Sequence, residues 1–429
     1  MADPEHSPLD LLATPWRRRF LFAALYFAEG APIGFIWWYL PTQLRLAGVP
    51  IDQITRLTAL LVLPWTLKFV WAPALDGLRR RGFSYRRWAF LAQSAMALAL
   101  VPLLLLDPAT QFPWIVACLL AHSFAAATQD VAIDGLAITT TPEGQRGGLN
   151  GWMQAGMLIG RSMFGGVALM VAANFDPRAV PAGLLIAIVG TLALLFFARE
   201  RAPASGAGEA GLLATIRAAL GRRTTWLGLG FALISGAGFE AVGAVAGPFL
   251  VDRGQGGAAI GGFLAFPAVI ATVVGGFLGG AIADRLGGAR AVTGALLGLA
   301  VVIFVLAGAT GASPGETYAL LTAVYFGIGT FTASSYALFM DLTDSRLGAT
   351  QFSSYMAATN ACEAWAGLLV GRLVVQSGYG FAFGVLAAIS LVGVPIALLI
   401  SRAQRRELRL AGEISDRGLP GPTVAPRPG

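Results

Sequence analysis

The stretch PWIVACLLAHSFAAATQDVAIDGLAITTT, residues 113–141, decides how the rest of the chain is read. It is built of apolar and small residues, and it is long enough to cross a bilayer, whose hydrocarbon core of about 30 Å takes about 20 residues of helix. Yet it carries two aspartates, Asp130 and Asp134. A charge at the centre of a membrane helix costs about 3 kcal/mol or more, so such groups face a water-filled cavity or a partner.

The same apolar pattern recurs from end to end. Of the 429 residues, 56% are hydrophobic and 12% charged, with a mean hydropathy of +0.69. A soluble domain carries about 25% charged residues. The pattern predicts an all-α polytopic membrane protein with twelve spans, at 19–46, 51–75, 88–107, 113–141, 149–173, 180–198, 224–251, 258–283, 290–309, 316–341, 348–374 and 381–402. Arginines sort to one side of these spans: Arg17 to Arg19, Arg79 to Arg81, Arg86, Arg87, Arg146, Arg199, Arg201, Arg217, Arg222, Arg223, Arg285, Arg290, Arg346, Arg402, Arg405, Arg406 and Arg409. The other side holds Arg45, Arg178 and Arg253. The positive-inside rule then places both termini in the cytoplasm and the chain in the inner (cytoplasmic) membrane.

The net charge of +7 belongs to these connections, so nucleic acid is not an expected partner. Cys118 and Cys362 lie in apolar runs and suggest neither a disulfide framework nor a metal site. No connection is long enough for an enzyme domain, and no nucleophile motif or cofactor loop is present, which argues against catalysis and against a cofactor. Residues 1–18 precede a span too long to be the apolar core of a signal peptide.

The connection at 199–223, containing RAPASGAGEAG and a short amphipathic piece around LLATIRAALGRR, divides the spans six and six. The expected organisation is an N-terminal tail (1–18), a six-helix bundle (19–198), a linker (199–223), a second six-helix bundle (224–402) and a disordered tail (403–429). The halves echo each other. WAPALDGLRRRG closes span two and GGAIADRLGGAR closes span eight, while Pro41 and Pro248, and Pro64 and Pro267, fall at corresponding places. Repeated halves suit a secondary transporter, in which one half moves against the other around a midplane site.

GGAIADRLGGAR resembles the loop signature of the major facilitator superfamily. LPWTLKFVWAPALD, ATQDVAID and LGATQFSSYMAA resemble the AmpG-type muropeptide permeases, part of a wider peptide, acetyl-coenzyme A and siderophore transporter family. LYFAEGAPIGF looks at least as much like the siderophore branch. The resemblance covers about 20 to 400 and implies a transporter that moves a polar solute, muropeptide-like first, with protons; a monomer is expected. A siderophore or acetyl-coenzyme A carrier, an exporter or a non-transporting membrane sensor stay open beside it.

Asp130 and Asp134, four apart, share a helix face, and form either a shared proton site or a pair with an arginine. His122 on the same helix either extends a relay or is a satisfied buried histidine. Asn150, Gln154 and Arg161 line one face of span five, and Arg161 is expected either to pair with Asp130 or to meet an anionic solute. Glu29, with Tyr26 a turn before it, and Glu240 lie mid-span in spans one and seven, which the resemblance places on the central cavity together with spans four and ten. Glu29 also precedes Gly30 and Pro32, where a capping role competes. In span eleven, Thr359, Asn360 and Glu363 share a side, and Glu363 is a further proton candidate. Lys68, the only lysine, lies between Trp65 and Trp71 and either snorkels with cation–π support or is a counter-ion.

Asp76 and Asp284 end spans two and eight, where an aspartate can cap a neighbouring helix N-terminus. The resemblance implies that these, with Arg285, are gating residues. Gly156 and Gly160, and Gly275, Gly276, Gly279 and Gly280, form small-residue stripes expected at a sliding contact between the halves, with a homodimer face as the alternative. Trp37, Trp38 and Tyr39 are expected as interface anchors or lining of the solute mouth.

Overall fold

A computed structural model describes residues 10–80, 82–107, 110–200, 221–309, 311–343 and 348–416. Their regular structure is all helical, with no strand among the described residues. Eleven helices are long and apolar enough to cross a membrane. They are α1 (Pro15–Leu46), α2 (Ile51–Leu75), α3 (Tyr85–Leu104), α4 (Phe112–Thr140), α5 (Gly148–Asn174), α6 (Ala179–Phe197), α7 (Arg223–Asp252), α8 (Gly257–Leu286), α9 (Gly288–Gly308), α10 (Pro314–Leu342) and α11 (Gln351–Gln404). The last has 54 residues, about 80 Å of helix at ~1.5 Å per residue, enough to cross a hydrocarbon core twice. It breaks at Gly378, whose φ of 79° only glycine adopts readily, between the two spans expected at 348–374 and 381–402.

Local chemistry starts the helices. Thr14 accepts a hydrogen bond from the Arg17 amide and Pro15 takes the first turn of α1. Ser313 and Glu316 form a reciprocal capping box on α10, with Pro314 between them. The backbone stays helical to Asp416, past the point where a disordered tail is expected from 403. Residues 402–409, SRAQRREL without its first serine and with Arg409, are mostly strong helix formers, which carry the helix beyond its apolar part. The linker piece at 201–220 and the tail from 417 lie outside the described residues.

Several spans are irregular; α8, for one, is interrupted at Phe266, between Ala265 and Pro267. α1 becomes a π-helix at Phe35–Tyr39, three residues after Pro32, and α5 does the same at Ser162–Val167. α7 is interrupted at Ser235 and Gly236 before restarting at Ala237.

The chain divides into two compact units. The first is drawn from Met1–Gly206, Gly243–Val269 and Gly367–Gln376, the second from Ala207–Val242, Ile270–Ala366 and Ser377–Gly429. In the first, α1 and α5 run side by side at backbone contact. A Cβ on Gly156 would overlap the Ala23 carbonyl, one on Gly160 the Phe27 carbonyl, and one on Gly30 the Met157 carbonyl. In the second, Gly275 and Gly279 meet the Phe326 and Thr330 carbonyls of α10, and Gly329 meets Thr272 of α8. This corrects the expectation for the glycine stripes: they seat pairs of helices inside a unit. Gly276 and Gly280 have open space or ordinary contact. Small residues permit close approach wherever helices meet, so a stripe does not say which neighbour it faces.

Candidate transport site

The first unit concentrates charge where α1, α2 and α4 meet. The Lys68 ammonium of α2 forms an ion pair with Asp130 of α4, the two side chains being 17% and 6% exposed. The Tyr26 hydroxyl of α1 donates to Asp134 Oδ1, one turn along α4. The Glu29 carboxyl is buried within interacting reach of Asp130, and its Oε2 has no hydrogen-bond partner among the described residues. Three carboxyls thus share one ammonium and one phenol in a largely buried setting. Burying charge costs more than a single pair returns unless every member is satisfied.

Helix geometry explains the grouping. Asp130 and Asp134 stack on one face of α4. Tyr26 and Glu29 are three apart on α1, so they present to the same neighbour. Lys68 reaches in from a helix whose flanking Trp65 and Trp71 pack elsewhere, Trp65 against Trp37 and Trp71 against Phe124. Of the two readings of Lys68, the counter-ion is what the structure forms.

Arg161 does not pair with Asp130. The carboxylate is taken by Lys68, and the guanidinium instead lies over the Trp38 ring, 4.5 Å from its centre. Trp38 and Tyr39 are buried, which corrects their assignment as interface anchors. His122 is buried with Nδ1 3.1 Å from the Met96 carbonyl, the satisfied reading for that nitrogen. Asn150 and Gln154, on the same helix as Arg161, are exposed, and neither joins the charged group.

A second gathering lies in the second unit. Glu240 falls in the first turn of the helix that restarts at Ala237, beside the break at Gly236. Gly236 faces both Cys362 and Glu240, a Cβ there lying 3.4 Å from the thiol and 3.5 Å from Glu240 Cγ. Glu363 follows Cys362 in sequence and also acts on its thiol electrostatically. Asn360 is half-buried on the same helix. Asp284 and Arg285 are exposed at the end of α8, and the side chain of Asp76 lies outside the described residues.

One residue escaped the sequence reading, and Trp38 was named without its contact to Arg161. Gln129 is fully buried, and neither end of its amide has a partner among the described residues. Its place beside Asp130 in ATQDVAID was the available signal. Trp38 was read by position in the span; only Pro32 and Gly34 hinted that the helix would open there.

The model of the Major Facilitator Superfamily matches residues 20–371. The chain belongs to that superfamily, whose members are transporters rather than enzymes. It is a multi-pass membrane protein. It is similar to the "Anhydromuropeptide permease" of Escherichia coli (strain K12), at 26% identity over 386 residues, 87% of this chain and 78% of that one. It is also similar to the "Putative transporter AmpG 4" of Rickettsia felis, at 26% identity over 183 residues, 42% of this chain and 44% of that one. Among solved structures, the D-xylose-proton symporter superposes with a TM-score of 0.72 at 14% identity, covering 89% of this chain and 96% of that one. A bacterial homolog of the human lysosomal transporter Spinster, inward-facing and unoccupied, gives 0.68 at 13%, covering 93% and 98%. At these identities the structures speak for the fold alone.

Proposed function

We propose that this transporter imports a muropeptide-like polar solute together with protons, by alternating access of two six-helix halves, 19–198 and 224–402, with both termini in the cytoplasm. One observation carries the proton coupling: Lys68, Asp130, Asp134, Glu29 and Tyr26 form a single, largely buried group with three carboxyls to one ammonium. Protons are the remaining counter-charge for such a set. A proton arriving on Asp130 dissolves its pair with Lys68, and the freed ammonium turns to Asp134 or Glu29. Exchange of partners of this kind gives two arrangements with different proton content, which is what a coupled cycle requires. Glu240 and Glu363 are the corresponding proton candidates of the second unit. Asn150, Gln154 and Asn360 are candidate solute contacts, and Asp76, Asp284 and Arg285 gating residues.

The solute reading is supported by the similarity to the Escherichia coli permease over 87% of this chain. A siderophore remains the second reading, because LYFAEGAPIGF, which holds Tyr26 and Glu29, resembles that branch. Uptake into proteoliposomes with an acidic exterior tests both. Labelled anhydro-muropeptide is expected to accumulate and to leak away on adding a protonophore. Accumulation of a ferric siderophore or acetyl-coenzyme A instead would move the assignment to that branch. Accumulation indifferent to the proton gradient would sink the coupling.

A further inference from the structure

We propose that Arg161 is the docking point for a carboxylate of the solute, a subsite separate from the proton-handling group and set one helical turn beyond it along α1. The proposal rests on the reading of this protein as a carrier of a polar solute.

The register of the two helices gives the height. Gly30, next to Glu29, abuts Met157, and Gly34 abuts the Arg161 carbonyl, so Arg161 sits one turn further along α1 than Glu29. The guanidinium meets the Trp38 ring and, among the described residues, no carboxylate or hydrogen-bond acceptor. Its Nε is sealed from solvent without a partner. A ring satisfies the face of a guanidinium and leaves its edge, a planar fork of N–H groups that fits a carboxylate bidentately.

The backbone is built for this arrangement. Trp38 lies within the π-helix of α1, and Arg161 immediately precedes that of α5. The two irregular segments touch: a Cβ on Gly165 would fall 2.7 Å from the Trp38 ring, and one on Gly34 would overlap the Arg161 carbonyl. A π-turn gives up regular hydrogen bonding and is found mostly at functional positions. Here two of them, one on each side of the same cation, are what bring ring and guanidinium together. A purely structural cation–π contact would not need the edge left bare.

The test measures binding to the purified protein, so that it does not depend on transport. The probes are anhydro-muropeptide and a carboxylate siderophore, each as free acid and as methyl ester. For each, the concentration giving half the maximal rise in thermal midpoint is recorded. The wild type is expected to prefer acid to ester by about tenfold or more, the scale of a charge-assisted bidentate contact. Arg161→Gln should bring that ratio to about one while the ester binds as before. Arg161→Lys, which keeps the charge and loses the fork, should cut it severalfold, and Trp38→Phe, which keeps a ring, should largely preserve it. A wild type without acid preference for either solute overturns the proposal, and so does a folded Arg161→Gln or Arg161→Lys variant that keeps the full ratio. Failure of muropeptide uptake with the acid preference intact for the siderophore would instead remove only the muropeptide assignment.

Discussion

Lys68 is the only lysine in the chain, and it is spent on Asp130. Removing one member of a buried pair leaves the other charge uncompensated, a loss of about 3–5 kcal/mol. Lys68→Met should therefore lower the thermal midpoint of the purified protein sharply. Adding Asp130→Asn should recover most of it, because both charges are then gone, while proton-driven uptake stays lost in both. Equal midpoints for the single and double variants would show that the pair does not hold these helices. Tyr26→Phe removes a hydrogen bond to a carboxylate, worth about 1.5–3 kcal/mol. Combined with Asp134→Asn, its effect on the midpoint should be less than additive, since the two share one contact; full additivity would separate them. The need for a partner at Asp130 was legible from the cost of a charge in an apolar run. The partner was not, because Lys68 lies 62 residues away and Arg161 stood at an equally plausible height in the membrane.

At the scale of the helix, backbone contact makes glycine obligatory at particular turns of α1, α5, α8 and α10. Gly160→Val or Gly279→Val would force apart helices whose carbonyls now fill that space, a change of the overpacking kind that costs about 1–3 kcal/mol or more. Gly151→Ala and Gly280→Ala, at helical positions with nothing within 4 Å, should be neutral or gain up to about 1 kcal/mol from helix propensity. Melting of the four variants in detergent checks this; a Gly280→Ala as damaging as Gly279→Val would mean that the helix face is misassigned. Span limits were readable to within a few residues because they follow from hydrophobic length alone. The π-helices and the break at Ser235–Gly236 were not, since no residue there forces them. They depend on what packs alongside, as Arg161 and Trp38 show. The same limit explains the stripes: GxxxG announces close approach but not which helix approaches.

The first unit reaches across the sequence, joining its N-terminal residues to Gly243–Val269 and Gly367–Gln376. Arg45 at the end of α1 forms a bidentate pair with Asp252 at the end of α7, at 2.6 and 2.9 Å, and its third nitrogen bonds the Val49 carbonyl. Gly247 packs against Thr42, Gly371 against Thr55, and the Ser162 hydroxyl donates to the Ala265 carbonyl. On the proposed topology the contacts of Arg45, Gly247 and Gly371 lie at the end of the molecule away from the cytoplasm, with the sparse arginines Arg45 and Arg253, while Ser162, next to Arg161, lies nearer the middle of its span. Alternating access requires that such contacts part once per cycle, so they should be strong enough to close and weak enough to release. A half-exposed bidentate pair fits, contributing of order 1 kcal/mol where a buried one would contribute or cost far more. The buried Thr55 reports on the seal. In a Cys118→Ser, Cys362→Ser background, the thiol introduced by Thr55→Cys should react slowly with a membrane-impermeant maleimide added outside intact cells. Asp252→Ala should speed the reaction severalfold, and the exchange Arg45→Asp with Asp252→Arg should slow it again, because the pair is restored with its members swapped. An unchanged rate in Asp252→Ala would mean that the glycine contacts at Thr42 and Thr55 hold this end shut without the ion pair. A thiol that reacts only after the cells are opened would place this end in the cytoplasm and invert the topology.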